Sequence, residues 1–237
     1  MGLFVGCIGV GSVSLIPTPM IASARDDNSG ATSTLVLSPP AGVQVGDVMV
    51  ACYGGGAYSG GGGPYTFTPD PSWTPIYNLN DSTTHQVITN LFYKIANAAD
   101  AAGTSSYSWT LTTGTIAGHA LTYLAWPSRH GDTFGGTAAT YTDPPASLTS
   151  PGGRWQLVLI YQRTASAFGQ PDPNPVVTSA GATLLHANTH VVGSTNNARA
   201  GVLRMYASER VSPITGAYLT GGINFPRQGM VVAAVST

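Results

Sequence analysis

A metal site or an acid–base pair in this chain would have to be assembled from five histidines, two cysteines, nine aspartates and one glutamate. Only His186 and His190, in His186-Ala-Asn-Thr-His190, are spaced to chelate one ion, and that spacing works on a helix, where positions four apart share a face. The flanking residues are of strand type, and on a strand the two rings stand roughly 13 Å apart. Asp26-Asp27-Asn28-Ser29-Gly30 resembles the opening of a calcium loop but lacks the chelating Glu that closes one. Gly54 to Gly63 lacks the Lys-Ser/Thr ending of a phosphate loop, and no Gly-x-Ser-x-Gly elbow occurs. Asp70, Asp81, Asp100, Asp132, Asp143 and Asp172 lie in turn contexts beside Pro, Gly, Ser or Ala, where caps and Asx-turns account for them. The single Glu, Glu209, sits next to Arg210, so no carboxylate pair is laid out for sugar hydrolysis. Scattered Ser, His and Asp residues point to no triad. The expectation is a protein that is not an enzyme, with no catalytic residues, no bound metal and no cofactor.

The elements that would position any site are strands. Lys+Arg number 9 and Asp+Glu 10 in 237 residues, so charged residues make up 8% where a globular domain carries roughly a quarter. The cations are eight Arg and Lys94, and the polar content is Thr, Ser, Asn and Gly, which favour strands and turns over exposed helix. An apolar fraction of 43% is enough for a folded core despite 30 Gly and 17 Pro. A net charge of -1 without a basic cluster argues against nucleic acid. No run of 18 apolar residues suggests membrane insertion by a helix. So little charge leaves a monomer poorly protected from association; a host with a codon bias toward Arg and Ala and a surface lying against other subunits explain it equally well, and the two are compatible.

Predicted strands are Thr32 to Leu37, Asp47 to Tyr53, Trp73 to Tyr77, Val87 to Ala96, Tyr107 to Thr112, His119 to Trp126, Trp155 to Gln162, Thr183 to Val192, Gly201 to Ala207 and Gly229 to Val235. Ile95 to Ala102 is the one segment suited to a helical turn, and Gly54 to Gly63 reads as a flexible loop. Gly46-Asp47 reads as a turn determinant, the Gly at positive φ and the Asp accepting backbone N–H groups. The first 24 residues lack the leading positive charge of a secretory signal, and Pro17 and Pro19 interrupt them. They read instead as a strand or arm from Leu3 to Leu15, apolar on both faces, which needs cover from its own sheet or a neighbouring subunit. Leu3, Phe4, Val5, Ile8 and Val10 are the assembly-contact candidates. Cys7 and Cys52 are read as buried free thiols of a protein assembled in a reducing cytoplasm.

A faint internal repeat runs at an offset near 110 residues. Ser38-Pro39 through the Val-Gly-Asp-Val-Met-Val-Ala-Cys-Tyr strand is echoed from Ser150-Pro151 through Trp155 to Tyr161. Trp73-Thr-Pro-Ile then matches Ala182-Thr-Leu-Leu, Leu91-Phe-Tyr matches Leu203-Arg-Met, and the segment from Gly118 matches that from Gly229. The pattern predicts an all-β fold, a two-sheet antiparallel sandwich that is jelly-roll-like with pseudo-symmetric halves, in a single domain over residues 1–237. Two tandem small sandwiches dividing near residue 145 are the alternative.

Several segments together carry a family resemblance: Phe4-Val-Gly, Pro17 and Pro19, then Pro40-Ala-Gly-Val-Gln-Val-Gly-Asp-Val-Met-Val-Ala51. Pro71-Ser-Trp73, Tyr93-Lys-Ile-Ala96, Ala98 to Gly103 and Tyr107-Ser-Trp109-Thr continue it. Over about residues 3 to 126 this resembles a β-sandwich family of tailed-phage virion proteins, generally minor tail proteins of phages with high-GC Gram-positive hosts. The resemblance implies a non-enzymatic virion structural subunit, a minor tail or tail-tip protein assembled in the host cytoplasm. Its partners would be other virion subunits, including copies of itself in a homo-oligomer. It brings no catalytic residues. The alternatives are a capsid decoration protein, a lectin-like module contacting host-surface glycan, and a secreted carbohydrate-binding domain. For the glycan readings the loop aromatics Tyr58, Tyr65 and Trp73 are the contact candidates, with core anchoring the stronger competing role for Trp73.

Overall fold

The computed structural model describes residues 18–26, 32–57, 66–81, 87–112, 117–126, 133–141, 155–163, 182–192, 199–208 and 227–236. In chain order these form β1 (Met20–Asp26), β2 (Thr32–Leu37), β3 (Val48–Ala57), β4 (Thr66–Thr68), β5 (Thr74–Asp81), β6 (Val87–Ile95), α1 (Ala98–Ala101), β7 (Tyr107–Thr112) and β8 (Ala117–Trp126). β9 (Thr133–Tyr141), β10 (Trp155–Arg163), β11 (Ala182–Val192), β12 (Arg199–Ser208) and β13 (Arg227–Ser236) follow. The fold is the expected all-β sandwich. Its strands make a central sheet in the order β1-β8-β3-β6-β5, a second five-stranded sheet β11-β12-β10-β13-β9, and a three-stranded sheet β2-β7-β4, with every pairing antiparallel. Among the described residues no helix is long and apolar enough to cross a membrane.

The central sheet is buried on both faces, which is why β3 reads as an unbroken apolar run. Met49, Ala51 and Tyr53 face the three-stranded sheet with Ile88, Phe92, Leu121 and Tyr123, meeting Leu35, Trp109 and Leu111. Val48, Val50 and Cys52 face the second five-stranded sheet, meeting Leu157, Leu159, Tyr161, Leu203 and Met205. The expected two layers are therefore three. The small sheet alternates cleanly, with Ser33 and Leu35 inward on β2 and Tyr107, Trp109 and Leu111 inward on β7. Its outer face carries Thr32, Thr34, Val36, Ser108, Thr110, Thr112, Thr66 and Thr68, and the Thr34 and Thr110 hydroxyls bond each other at 2.9 Å.

Most predicted strands lie where the pattern put them, and β2 and β7 agree at both ends. β1, β4 and β9 were not anticipated. Gly54, Gly55 and Gly56 continue β3 rather than opening a loop, a correction with a steric reason. A Cβ on Gly54 would lie 2.5 Å from Cδ2 of Tyr161, so the glycine marks close approach between sheets rather than flexibility. The segment from Leu3 to Leu15, including Cys7, lies outside the described residues. Cys52 is free and fully buried, and burial pushes its thiol pKa up, away from reactivity.

The Gly46-Asp47 turn behaves as expected. Gly46 takes φ 91°, its N–H donates to the Ala96 carbonyl at 2.9 Å, and the Asp47 carboxylate accepts from the Gln44 N–H at 2.8 Å. The short α1 is held by a capping box between Asn97 and Asp100 and leads into Gly103 at φ 68°. Asp100 also takes Lys94 Nζ at 3.0 Å and the Tyr107 hydroxyl, while Lys94 stands over the Tyr107 ring. Burial acts to raise the Asp100 pKa, but the Asn97 N–H, Tyr107, Lys94 and Ser105 outweigh it and the net shift is downward. For Lys94 burial acts to lower the pKa and the bonds to Tyr107 and Asp100 raise it overall.

Replacing Asp100 by Ala should cost about 3 kcal/mol at pH 7, because Lys94, Tyr107 and the Asn97 N–H lose their shared acceptor. A carboxylate whose pKa is lowered on folding stabilises above its unfolded value and loses that contribution as the pH falls through the folded one. The gap between wild type and Asp100→Ala in denaturant titrations should therefore narrow as the pH falls below the ordinary carboxylate range.

Candidate functional site

Below the three-stranded sheet, side chains from four strands meet in one polar row. Asp26 ends β1 directly across the ladder from His119 of β8, Ser33 lies on the inner side of β2, and Tyr53 comes from β3. Ser33 Oγ is 2.7 Å from His119 Nε2, and His119 Nδ1 is 2.8 Å from the Tyr53 hydroxyl. The Ser33 hydroxyl donates to the Asp26 carboxylate, whose Oδ2 lies 3.8 Å from His119 Nε2. His119 and Tyr53 are fully buried and Ser33 is 5% exposed, while Asp26 carries the row toward solvent with its side chain 24% exposed. Gly55, opposite His119, makes room: a Cβ there would be 3.1 Å from the His119 Cβ and 3.2 Å from the Tyr53 hydroxyl.

The direction of the row follows from donor counting. Burial lowers the His119 pKa to about 4, so at neutral pH the ring carries one proton. Ser33 spends its hydrogen on Asp26 and can only accept from His119, which places the ring proton on Nε2. Nδ1 is then the acceptor, and the Tyr53 hydroxyl donates to it. Burial raises the Tyr53 pKa, and the Asp26 charge adds to the effect, so the phenol keeps that proton. The chain of donation therefore runs from Tyr53 through His119 and Ser33 to Asp26.

A hydrolytic triad needs the reverse. There the His accepts the Ser proton at one nitrogen while a carboxylate orients the other. Here a tyrosine occupies the orienting position, the carboxylate sits on the serine side, and the serine is a donor to it. The arrangement ties β1, β2, β3 and β8 together and fixes the small sheet on the central one.

The other sequence candidates fall elsewhere. Of the two roles open to Trp73 the structure shows the core anchor and not the loop contact, because it is 4% exposed and stacks on Tyr123 at 4.8 Å, with Tyr107 and Trp109 edge-on. It anchors the core, since its ring gains more from this aromatic cluster than a loop start offers. Its Nε1 finds no partner among the described residues, whereas Trp109 Nε1 donates to the Tyr123 hydroxyl at 2.6 Å. Tyr58 and Tyr65 lie outside the described residues, as do Leu3, Phe4, Val5, Ile8 and Val10. His186 and His190 both stand on β11, as expected; burial lowers the His186 pKa. Among the described residues no three His, Cys, Asp or Glu side chains converge as a metal site.

The four-residue row was not anticipated. Its trace in the sequence is a Ser and a His at inward positions of otherwise apolar alternations, Ser33 in Thr-Ser-Thr-Leu-Val-Leu and His119 in Gly-His-Ala-Leu-Thr-Tyr-Leu. No family model, no curated protein and no solved structure matches this chain.

Because the folded His119 pKa lies below its usual value, the unfolded chain binds the extra proton first as the pH falls from 6.5 toward 4. Stability should drop by roughly 3 kcal/mol across that window from this residue, and His119→Phe should flatten the slope at the cost of lower stability at pH 7. Nitrogen chemical shifts of the imidazole should show a neutral ring protonated at Nε2 at pH 7.

Proposed function

We propose that this protein is a non-enzymatic structural subunit of a tailed-phage virion, a minor tail or tail-tip component that works through subunit contacts. The observation that carries the reading is the fate of the residues behind the family resemblance. Trp73, Lys94, Asp100, Tyr107 and Trp109 converge on one buried framework, in which Trp73 packs on Tyr107 and Trp109 and Asp100 joins Lys94 to Tyr107. A pattern of residues spent on internal framing suits a family defined by its scaffold rather than by a reaction. The reversed donation through Ser33 and His119 supports the absence of hydrolytic chemistry in this row. The free, buried Cys52 suits assembly in a reducing cytoplasm. With Trp73 in the core, the glycan-binding alternative loses one of its three aromatics.

Immunogold labelling of purified particles with an antibody to this chain is expected to mark the tail. A regular label over the capsid would replace this reading with the decoration alternative, and absence from particles by mass spectrometry would overturn both.

A further inference from the structure

The two five-stranded sheets repeat one another strand for strand. Reading β1, β8, β3, β6 and β5 against β9, β13, β10, β12 and β11 gives the same order with all pairs antiparallel. The irregularities coincide: the ladder to β6 shifts between Pro75 and Tyr77 of β5, and the ladder to β12 shifts between Leu184 and His186 of β11. The extra residues, Ile76 and Leu185, are the two that the sequence echo aligns on these strands, and both pack toward the core between the sheets; on the other strands the sheet register departs from the echo, setting Tyr93 against Ala207 rather than Met205 and Leu124 against Ala233 rather than Val235. Starting from Thr74, the paired row runs Thr74, Tyr93, Val50, Leu124, Ile21. Starting from Thr183, it runs Thr183, Ala207, Leu157, Ala233, Gly136.

The packing between the sheets is also paired. β8 lies against β11 and β5 against β13; β6 lies against β13 and β8 against β12; β5 lies against β9 and β1 against β11; β6 lies against β10 and β3 against β12. Exchanging the halves turns each contact into its mate, and β3 against β10 into itself. Equivalent faces meet, since Val50 and its counterpart Leu157 both point into the shared core. This is the pattern of an isologous, two-fold interface, made here within one chain.

Four residues beyond Val50 and Leu157, the counterparts are Gly54 and Tyr161, and these two touch. The Tyr161 ring fills the space where a Gly54 Cβ would stand, at 2.5 and 2.8 Å, with Leu203 at 2.8 Å. A residue that meets its own counterpart lies at the axis. Two tyrosines there would collide and two glycines would leave a hole, so neither sheet can pair with a second copy of itself as it pairs with the other. The geometry assigns the chain as a built-in dimer of one β unit, with Gly54 and Tyr161 as the specificity-determining pair that makes first half bind second half and not itself.

The test uses the full chain. Gly54→Tyr, through collision, and Tyr161→Gly, through a cavity, are each expected to lower Tm by about 10 °C. The exchanged variant, with both substitutions, should regain more than half of that loss, while Gly56→Tyr combined with Tyr161→Gly should regain none. An exchanged variant no more stable than the worse single one, or equal rescue from position 56, overturns the assignment. Independently of any substitution at the axis, a protease site inserted within residues 127–132 and cleaved should leave the two fragments together as a 1:1 complex on gel filtration. Separation of the fragments, or each pairing with itself, also overturns it.

Discussion

The double burial of the central sheet is the constraint on which the rest depends. A strand covered on one side can hold polar residues on the other, but Val48 to Tyr53 has no exposed side, and each of these residues is at most 1% exposed. Every hydrogen-bonding group within that layer must then find its partner inside the protein. The ladders to β6 and β8 satisfy the backbone of β3. On the face toward the small sheet His119 and Tyr53 satisfy each other and connect toward solvent through Ser33 and Asp26, while the Tyr123 hydroxyl accepts from Trp109. On the opposite face the hydroxyls of Thr89 and Thr122 lack a partner among the described residues, as does the side-chain carbonyl of Asn90, which lies across the ladder from Tyr53.

Cover on the two faces is achieved by different means. Toward the small sheet it is aromatic: Trp73, Tyr107, Trp109, Tyr123, Phe92 and Phe67 stack and tilt against one another around Tyr53. Toward the second large sheet it is mainly aliphatic, with Trp126 and Tyr161 among Val, Leu and Met side chains, and approach is close enough that Gly54 is needed under Tyr161. Side-chain bonds stitch the margin of this contact: Asn188 reaches the Leu121 carbonyl of β8 at 3.2 Å, and two more run from Arg25 to the Thr189 carbonyl at 2.7 Å and from Asn188 to the Ala24 carbonyl at 2.8 Å. Both link β1 to β11, strands that stand at sheet edges.

Much of this was legible in the residues. Thr32 to Leu37 and Tyr107 to Thr112 alternate so regularly that their bounds could be read directly, and Ile95 to Ala102 stood out as the place for a helical turn. β1 was missed because in Met-Ile-Ala-Ser-Ala-Arg-Asp the covered side offers only Met and two small Ala as apolar residues, while Ile21 stands on the exposed side and blurs the alternation. β4, three residues of Thr-Phe-Thr after a glycine run, is too short for a period to be counted. The Gly54 to Gly56 segment was misjudged because a glycine needed for close approach looks the same in sequence as one needed for flexibility. The polar row escaped notice because its members lie at positions 26, 33, 53 and 119, and only the pairing of β1 with β8 brings them together.

That same pairing bears on how the chain acquires its shape during synthesis. β8 follows β1 through β7 in the chain, yet it stands between β1 and β3; β13 follows every other described strand, yet it stands between β10 and β9. In each half the strand made last is thus an interior one. Until it leaves the ribosome, β1 has no neighbour in the central sheet and β9 has none in the second, so neither sheet can close by simple addition at its rim. At elongation rates of about 5–20 residues per second, the ninety or so residues between β1 and β8 imply a wait of several seconds or more with β1 unpaired. The chain must therefore fold late and by large steps, a course to which long-range antiparallel pairing already inclines it.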